Sequence, residues 1–410
     1  MRLPRFSMGV GDRFGQQGEA QLKPFIKAKE AGIDITPIWN KSHREHSIVG
    51  TRPMQVKLEA DCAVKALDWD GPYFVDADHI GLHNVDLFLE SSNFYTLDVS
   101  EFIGRSVASD DIDRFNRFLD QCSLTGTQME SYTTKDAVSS FGEQYLAAVK
   151  EAQRIYGHLE QQLGRDRFIT EISLDEAQEP QSPQEIFLLL AALAFYEIPA
   201  QTIAPKFTGA FNKGVDYIGE VSRFAKEFEE NLQVIRFSVN TLNLPSNIKL
   251  SVHSGSDKFS IYSIIRDLIA KYNAGVHLKT AGTTWLEELI GLALSGGDGL
   301  STAKEIYAAS LARYDELCAP YESVLDINRT NLPTPGQVNT WDGQRLAETL
   351  RHDQTCKAYS KDFRQLLHVG YKIAAEMGDR YLTLLQKHAG TISKQVEENI
   401  YERHMKRVFF

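Results

Sequence analysis

Short runs of β-branched, aromatic and aliphatic residues recur along the chain, each followed by apolar positions three or four apart, the pattern of a buried strand feeding an amphipathic helix. Eight such runs are legible, at 7–12, 34–39, 73–78, 94–99, 168–173, 201–206, 249–253 and 275–280. Between them, 18–32 places Leu22, Phe25 and Ile26 on one helical face, and 261–272 repeats the spacing. Strands alternating with helices predict parallel βα units, and eight units are the number that closes a (β/α)8 TIM-type barrel; counting alone leaves an open doubly wound sheet as the alternative. Two stretches exceed a minimal barrel. A helical insertion occupies about 105–165, with an amphipathic helix over 140–163, and is placed either to cap a site or to pack outside. Beyond a barrel of 1–300, residues 301–410 read as a helical C-terminal extension packed on it, broken near Asn331, Pro333 and Pro335.

The runs share a second regularity: an apolar start gives way to polar or ionisable residues at the C-terminal end, as in SMGVGDR, YFVDADH, FITEIS, TIAPK, LSVHSGS and VHLKT. Barrel enzymes place their chemistry at that end.

Composition narrows the class. Apolar content of 42% with 24% charged residues, 16 Tyr and 22 Phe describes a globular chain. Lys plus Arg total 44 against 55 Asp plus Glu, a formal charge of -11 that disfavours a broad nucleic-acid footprint. Cys62, Cys122, Cys318 and Cys356 are dispersed and form no CxxC pair, which suits a reducing cytoplasm. The most apolar run, 186–195, is too short to span a bilayer, so no membrane partner is expected. A barrel of this size is compatible with a homo-oligomer.

Candidate chemistry begins at Asp76-Ala77-Asp78-His79. Two acids and a histidine ending an apolar run are costly to bury unless paired or holding a metal. Alternation puts Asp76 and Asp78 on one face, with His79 just beyond in the loop. A carboxylate beside a metal-bound histidine is a good general acid/base. His253 closes the seventh run and is followed by Ser254, Gly255 and Ser256, whose backbone N–H groups suit an anion; His277 and Lys279 share a face of the eighth. Three strand-end imidazoles, His79, His253 and His277, suit a divalent cation such as Zn, Mn, Ni or Co. Glu171, alone in an apolar strand, is a rival ligand or a second acid/base, and His368 is a reserve ligand. Lys206, Lys258 and Lys279 add local positive charge and point to an anionic small-molecule substrate, while Asp12, Arg13, Asn40 and Lys41 are placed to hold its hydroxyls or carboxylate. The run Gly9 to Gly15 is GxGxxxG, not the dinucleotide fingerprint, and no P-loop, HExxH or GxSxG occurs.

At DADH, VHSGS and VHLKT the chain resembles metal-dependent class II ketose aldolases, although the sixth run has Ile203-Ala-Pro-Lys-Phe207 where a further aldolase histidine is expected. A wider resemblance, carried by MGVGDRFGQQGEAQL, GIDITPIWNKSHREH, YFVDADHIGL, KLSVHSGSDKFSIY, HLKTAGTTWLEE and HVGYKIAAEM, is to the tagaturonate/fructuronate epimerase family of hexuronate catabolism. That resemblance implies a divalent metal, a sugar-acid substrate and inversion at carbon 4, with Asp78 as proton acceptor, Glu171 as donor, and His79, His253 and His277 as ligands. A ketone at carbon 2 acidifies carbon 3 only, so inversion at carbon 4 is expected to run by retro-aldol cleavage between carbons 3 and 4, which explains the likeness to aldolases. An aldolase that releases its fragments is the alternative.

Overall fold

The computed structural model of the chain describes residues 1–279 and 284–410. Eight parallel strands close into a barrel in sequence order: β1 (Phe6–Val10), β2 (Thr36–Ser42), β3 (Phe74–Ile80), β4 (Phe94–Asp98), β5 (Ile169–Ser173), β6 (Thr202–Ala204), β7 (Lys249–Val252) and β8 (Val276–Leu278). The pairing of Ser7 on β1 with His277 on β8 shuts the ring, so the open-sheet alternative falls and the (β/α)8 expectation holds. Strand ends depart from the apolar runs because ladder partners, not hydrophobicity, set their length. β2 reaches Ser42 because Asn40, Lys41 and Ser42 pair with Asp76, Ala77 and Asp78. The expected end of the eighth run, Thr280, lies outside the described residues.

Side chains alternate along every strand. Met8, Trp39, Val75, Leu97, Ile172 and Leu250 join the main core with the surrounding helices. The opposite set starts apolar: Leu3, Ile38, Phe74, Phe94 and Ile169 form a small separate cluster that plugs the N-terminal end of the barrel. One pleat higher the same column turns polar at Asp76, Thr96, Glu171 and Lys279, all buried. Apolar filling below therefore carries a polar floor above.

The helices follow from local signals. Helix Pro183–Phe195 begins with a Ser182–Glu185 capping box and Pro183 in its first turn. In the insertion, helix Lys135–Leu163 starts earlier than the apolar spacing predicts, because Thr134 accepts from the Ala137 N–H and caps it. Its apolar face packs on helix Pro183–Phe195 and on β4, and no residue of 105–165 lines the cavity described below. The insertion thus lies outside, as the outer layer of the fourth βα unit.

In the C-terminal part, helix Ala389–Glu398 packs on helices Gly18–Glu30 and Thr284–Ser295, and the last turn, Lys406–Phe409, packs on helix Phe259–Lys271. A buried ion pair joins the two parts: Arg364 Nη2 lies 3.1 Å from Asp257 Oδ2 in the loop after β7. Arg364 also donates to the carbonyls of Gly214 and Leu350, at 2.6 and 2.8 Å. Among the described residues no helix is long and apolar enough to cross a membrane.

Candidate active site

The β3 end is built by an irregularity that alternation does not anticipate. The β3–β4 register shifts between Ala77 and Ile80, and His79 adopts φ +53°, in the left-handed region. The extra residue of this bulge turns His79 toward the same side as Asp78. His79 therefore lies within the strand, not in the loop beyond it, and its Nδ1 is 2.8 Å from Asp78 Oδ1.

Beneath this pair lies the polar floor. Lys279 Nζ donates to Asp76 and Thr96, and stands 3.1 Å from Asp78 and 3.2 Å from Glu171. Three carboxylates around one ammonium leave a proton to be shared. Burial and the neighbouring acids push Asp76 up to about 7 against the pull of Lys279. Burial opposes ionisation at Asp78 too, but there Lys279 and His79 prevail and hold the carboxyl far below its ordinary range. Lys279 is thus enclosed by protein acids and is not placed to take a substrate carboxylate, contrary to the expectation from sequence.

Asp175, which sequence reasoning passed over, completes a cluster. It follows β5 by two residues, is anchored by the Ser173 hydroxyl, and sends one oxygen to 3.1 Å from His253 Nδ1 and 3.4 Å from His79 Nε2. One ligand atom each from His79, Asp175 and His253 lies within 4.8 Å of the others. His253 Nδ1 is buried and faces Asp175 Oδ1 at 3.1 Å. Its other nitrogen donates to Glu171 Oε1 at 2.8 Å. A histidine fixed by a carboxylate on one nitrogen, with the other facing an acid and a second imidazole, could hold a metal ion, and two nitrogens with one oxygen suit a borderline divalent cation. Burial lowers the His253 pKa, but Asp175 and Glu171 outweigh it and raise the ring to about 9. The same two histidines hold the Asp175 carboxyl well below its usual range despite burial.

His277 does not join them. It sits lower in the barrel, where Nδ1 shares a hydrogen bond of 3.0 Å with Ser7 Oγ, its ring packs on Phe94, and burial lowers it to about 3. The register of β8 against β1 sets that height, and Asp175 stands in the third position instead. Glu171 has no exposed surface and does not line the cavity; Lys279 and His253 overcome its burial and keep it ionised.

The remaining candidates divide. Lys206 Nζ donates to the carbonyls of Ala177 and Gln178, and Lys258 Nζ to those of Asn212, Val215 and Ser256, so both tie loops together and neither lines the cavity described below. Asp12 lines the cavity, yet its carboxylate accepts from the N–H groups of Phe14, Gln16 and Gln17 and shapes the turn. Arg13 pairs with Glu45 at 3.1 Å, Lys41 donates to the Arg13 carbonyl, and Asn40 donates to the Lys279 carbonyl at 2.8 Å. Gly9 is explained by that last contact: a Cβ there would meet the Lys279 oxygen at 1.7 Å. Ser254, at φ +49°, lines the cavity.

That cavity, about 620 Å³, opens at the C-terminal end of the barrel and is lined by Asp78, His79, Lys213, Tyr321 and His368, among others. A charged space lined by Asp78 and His79 fits a small polar substrate. Comparison with known proteins agrees. A family model described as tagaturonate epimerase matches residues 1–408. The tagaturonate/fructuronate epimerase of Thermotoga maritima is 25% identical over 426 residues, covering 98% of this chain and 80% of that protein. The glycerol-complexed crystal structure of a fructuronate-tagaturonate epimerase from Cohnella laeviribosi has a TM-score of 0.79 at 24% identity, covering 100% of this chain and 82% of that one. A probable tagatose 6-phosphate kinase from Sinorhizobium meliloti shares the fold at a TM-score of 0.52 and 12% identity, over 98% and 100% of the two chains. The solved structures bear on the fold, and the family model, which runs through barrel, insertion and extension alike, on descent: the chain belongs to the tagaturonate epimerase family, a family of carbohydrate epimerases.

Proposed function

We propose that the protein interconverts D-tagaturonate and D-fructuronate by inverting carbon 4 of the ketohexuronate, with a divalent metal cation held by His79, Asp175 and His253. The observation that carries this reading is the ionised Asp78, 2.8 Å from the ligand-cluster residue His79, facing the cavity of a chain in this family. A cation bound there supplies Lewis-acid polarisation of the substrate ketone.

The chain's own residues then account for the proton. Asp78, kept as a carboxylate by Lys279 and His79, removes the carbon 4 hydroxyl proton. As the carbon 4 carbonyl forms, the bond between carbons 3 and 4 breaks, and its electron pair passes to carbon 3 and into the carbon 2 carbonyl. Rotation of the aldehyde and closure on its other face restore the bond, and the proton returns to the new hydroxyl, with no net oxidation. Glu171 is reached from Asp78 through the Lys279 ammonium, and its hydrogen bond orients His253. The resemblance makes Glu171 the donor, while its contacts favour the orienting role.

The test is turnover of metal-stripped protein on tagaturonate with Zn, Mn, Ni, Co or Mg restored, monitoring fructuronate and three-carbon fragments together. Metal-dependent fructuronate without free fragments is expected. Accumulating fragments would make the protein an aldolase, and no conversion with any metal would overturn the proposal.

A further inference from the structure

The cavity carries charges of both signs. Asp98 and Glu176 line it, and Glu176 feels the charges of both His79 and Arg44. Cations gather about two tyrosines, Tyr321 and Tyr371, whose hydroxyls hydrogen-bond at 2.8 Å. Arg44 Cζ stands 5.6 Å and Lys213 Nζ 5.9 Å from the Tyr321 ring centroid, and Arg13 Cζ 4.4 Å from that of Tyr371. Arg13 is neutralised by Glu45. Among the described residues, Arg44 and Lys213 have no carboxylate within 4.0 Å. Beside them His368 is buried, lines the cavity, and has an Nδ1 with no hydrogen-bond partner. Burial, with Arg13 and Lys213 close by, keeps its ring neutral.

Two unpaired cations and an unsatisfied buried imidazole on one wall describe a subsite lacking its anion. We infer that Arg44, Lys213, Tyr321 and His368 bind the substrate's carboxylate, and that they, rather than Lys206, Lys258 or Lys279, distinguish a sugar acid from a neutral sugar. This rests on the ketohexuronate reading, in which one six-carbon chain carries both ketone and carboxylate, and on all four side chains lining the same cavity as Asp78 and His79. Tyr321 and His368 come from the C-terminal extension, so the extension gives the barrel its selectivity for acids.

The experiment compares metal-loaded wild type with Arg44→Met, Lys213→Met and the double variant, by steady-state kinetics on tagaturonate and by calorimetric titration with tagaturonate and with neutral D-tagatose. Arg44 is exposed, so its variants are expected to fold. Each substitution should raise KM for tagaturonate about tenfold or more, with the effect falling on KM rather than kcat and no change toward tagatose. Unchanged KM in the double variant, or equal weakening of both ligands, would overturn the subsite. A wild type that binds tagaturonate without converting it would overturn the epimerase reading and leave the subsite standing, provided the variants weaken binding. A wild type that does neither would overturn both.

Discussion

One residue in the left-handed region converts a strand end into part of a site. Without the bulge at His79, β3 would offer Asp78 and no imidazole to the cavity. Three predictions belong at this scale. Asp78→Asn should lower kcat about 10²- to 10⁴-fold while the bound metal, measured by elemental analysis, is unchanged, because the amide cannot accept the proton. Asp175→Asn should lose metal under dialysis conditions that leave wild type loaded, since a charged ligand becomes a neutral one. Glu171→Gln should weaken metal affinity about 10- to 100-fold in a chelator competition, with turnover recovering at saturating metal. Metal retained and turnover lost would instead make Glu171 the donor.

At the scale of elements, the loop after β7 is fastened to the C-terminal helices by charge. The Asp257 N–H donates to His404 Nε2 at 3.0 Å, while its carboxylate meets Arg364, both side chains fully buried. Arg364→Leu removes the buried guanidinium that faces Asp257 and donates to the Gly214 and Leu350 carbonyls, and should cost about 3–5 kcal/mol in urea unfolding. His404 adds a pH signature. Burial lowers it to about 4, against roughly 6.5 in an unfolded chain, so between those values the unfolded state binds the extra proton. Stability from a neutral His404 is therefore complete above about pH 6.5 and falls by about 1.4 kcal/mol per unit as pH drops toward 4. Unfolding at pH 7, 6 and 5 should show wild type losing ground to His404→Gln by that slope, and parallel curves would refute it.

For the whole molecule, one core runs from the barrel helices into the extension, and the extension also walls the cavity. Strand number and the polar strand ends were legible because hydrophobic alternation and turn residues act over neighbouring positions. The DADH and VHS segments were legible for the same reason: acids and histidines ending apolar runs stand out locally. Asp175 did not, because an acid just past a strand reads equally well as a loop or cap residue. His277 was misplaced in height, since only the pairing of β8 with β1 sets it beside Ser7. Lys206 and Lys258 looked like substrate cations because a lysine's target, here a backbone carbonyl, is not written beside it. The sequence by itself determined eight βα units and which strand ends bear ionisable groups, since those depend on contacts between near neighbours in the chain. Only the tertiary structure decided which of those groups meet, because ring closure, register and the β3 bulge set the relative heights of residues far apart in sequence.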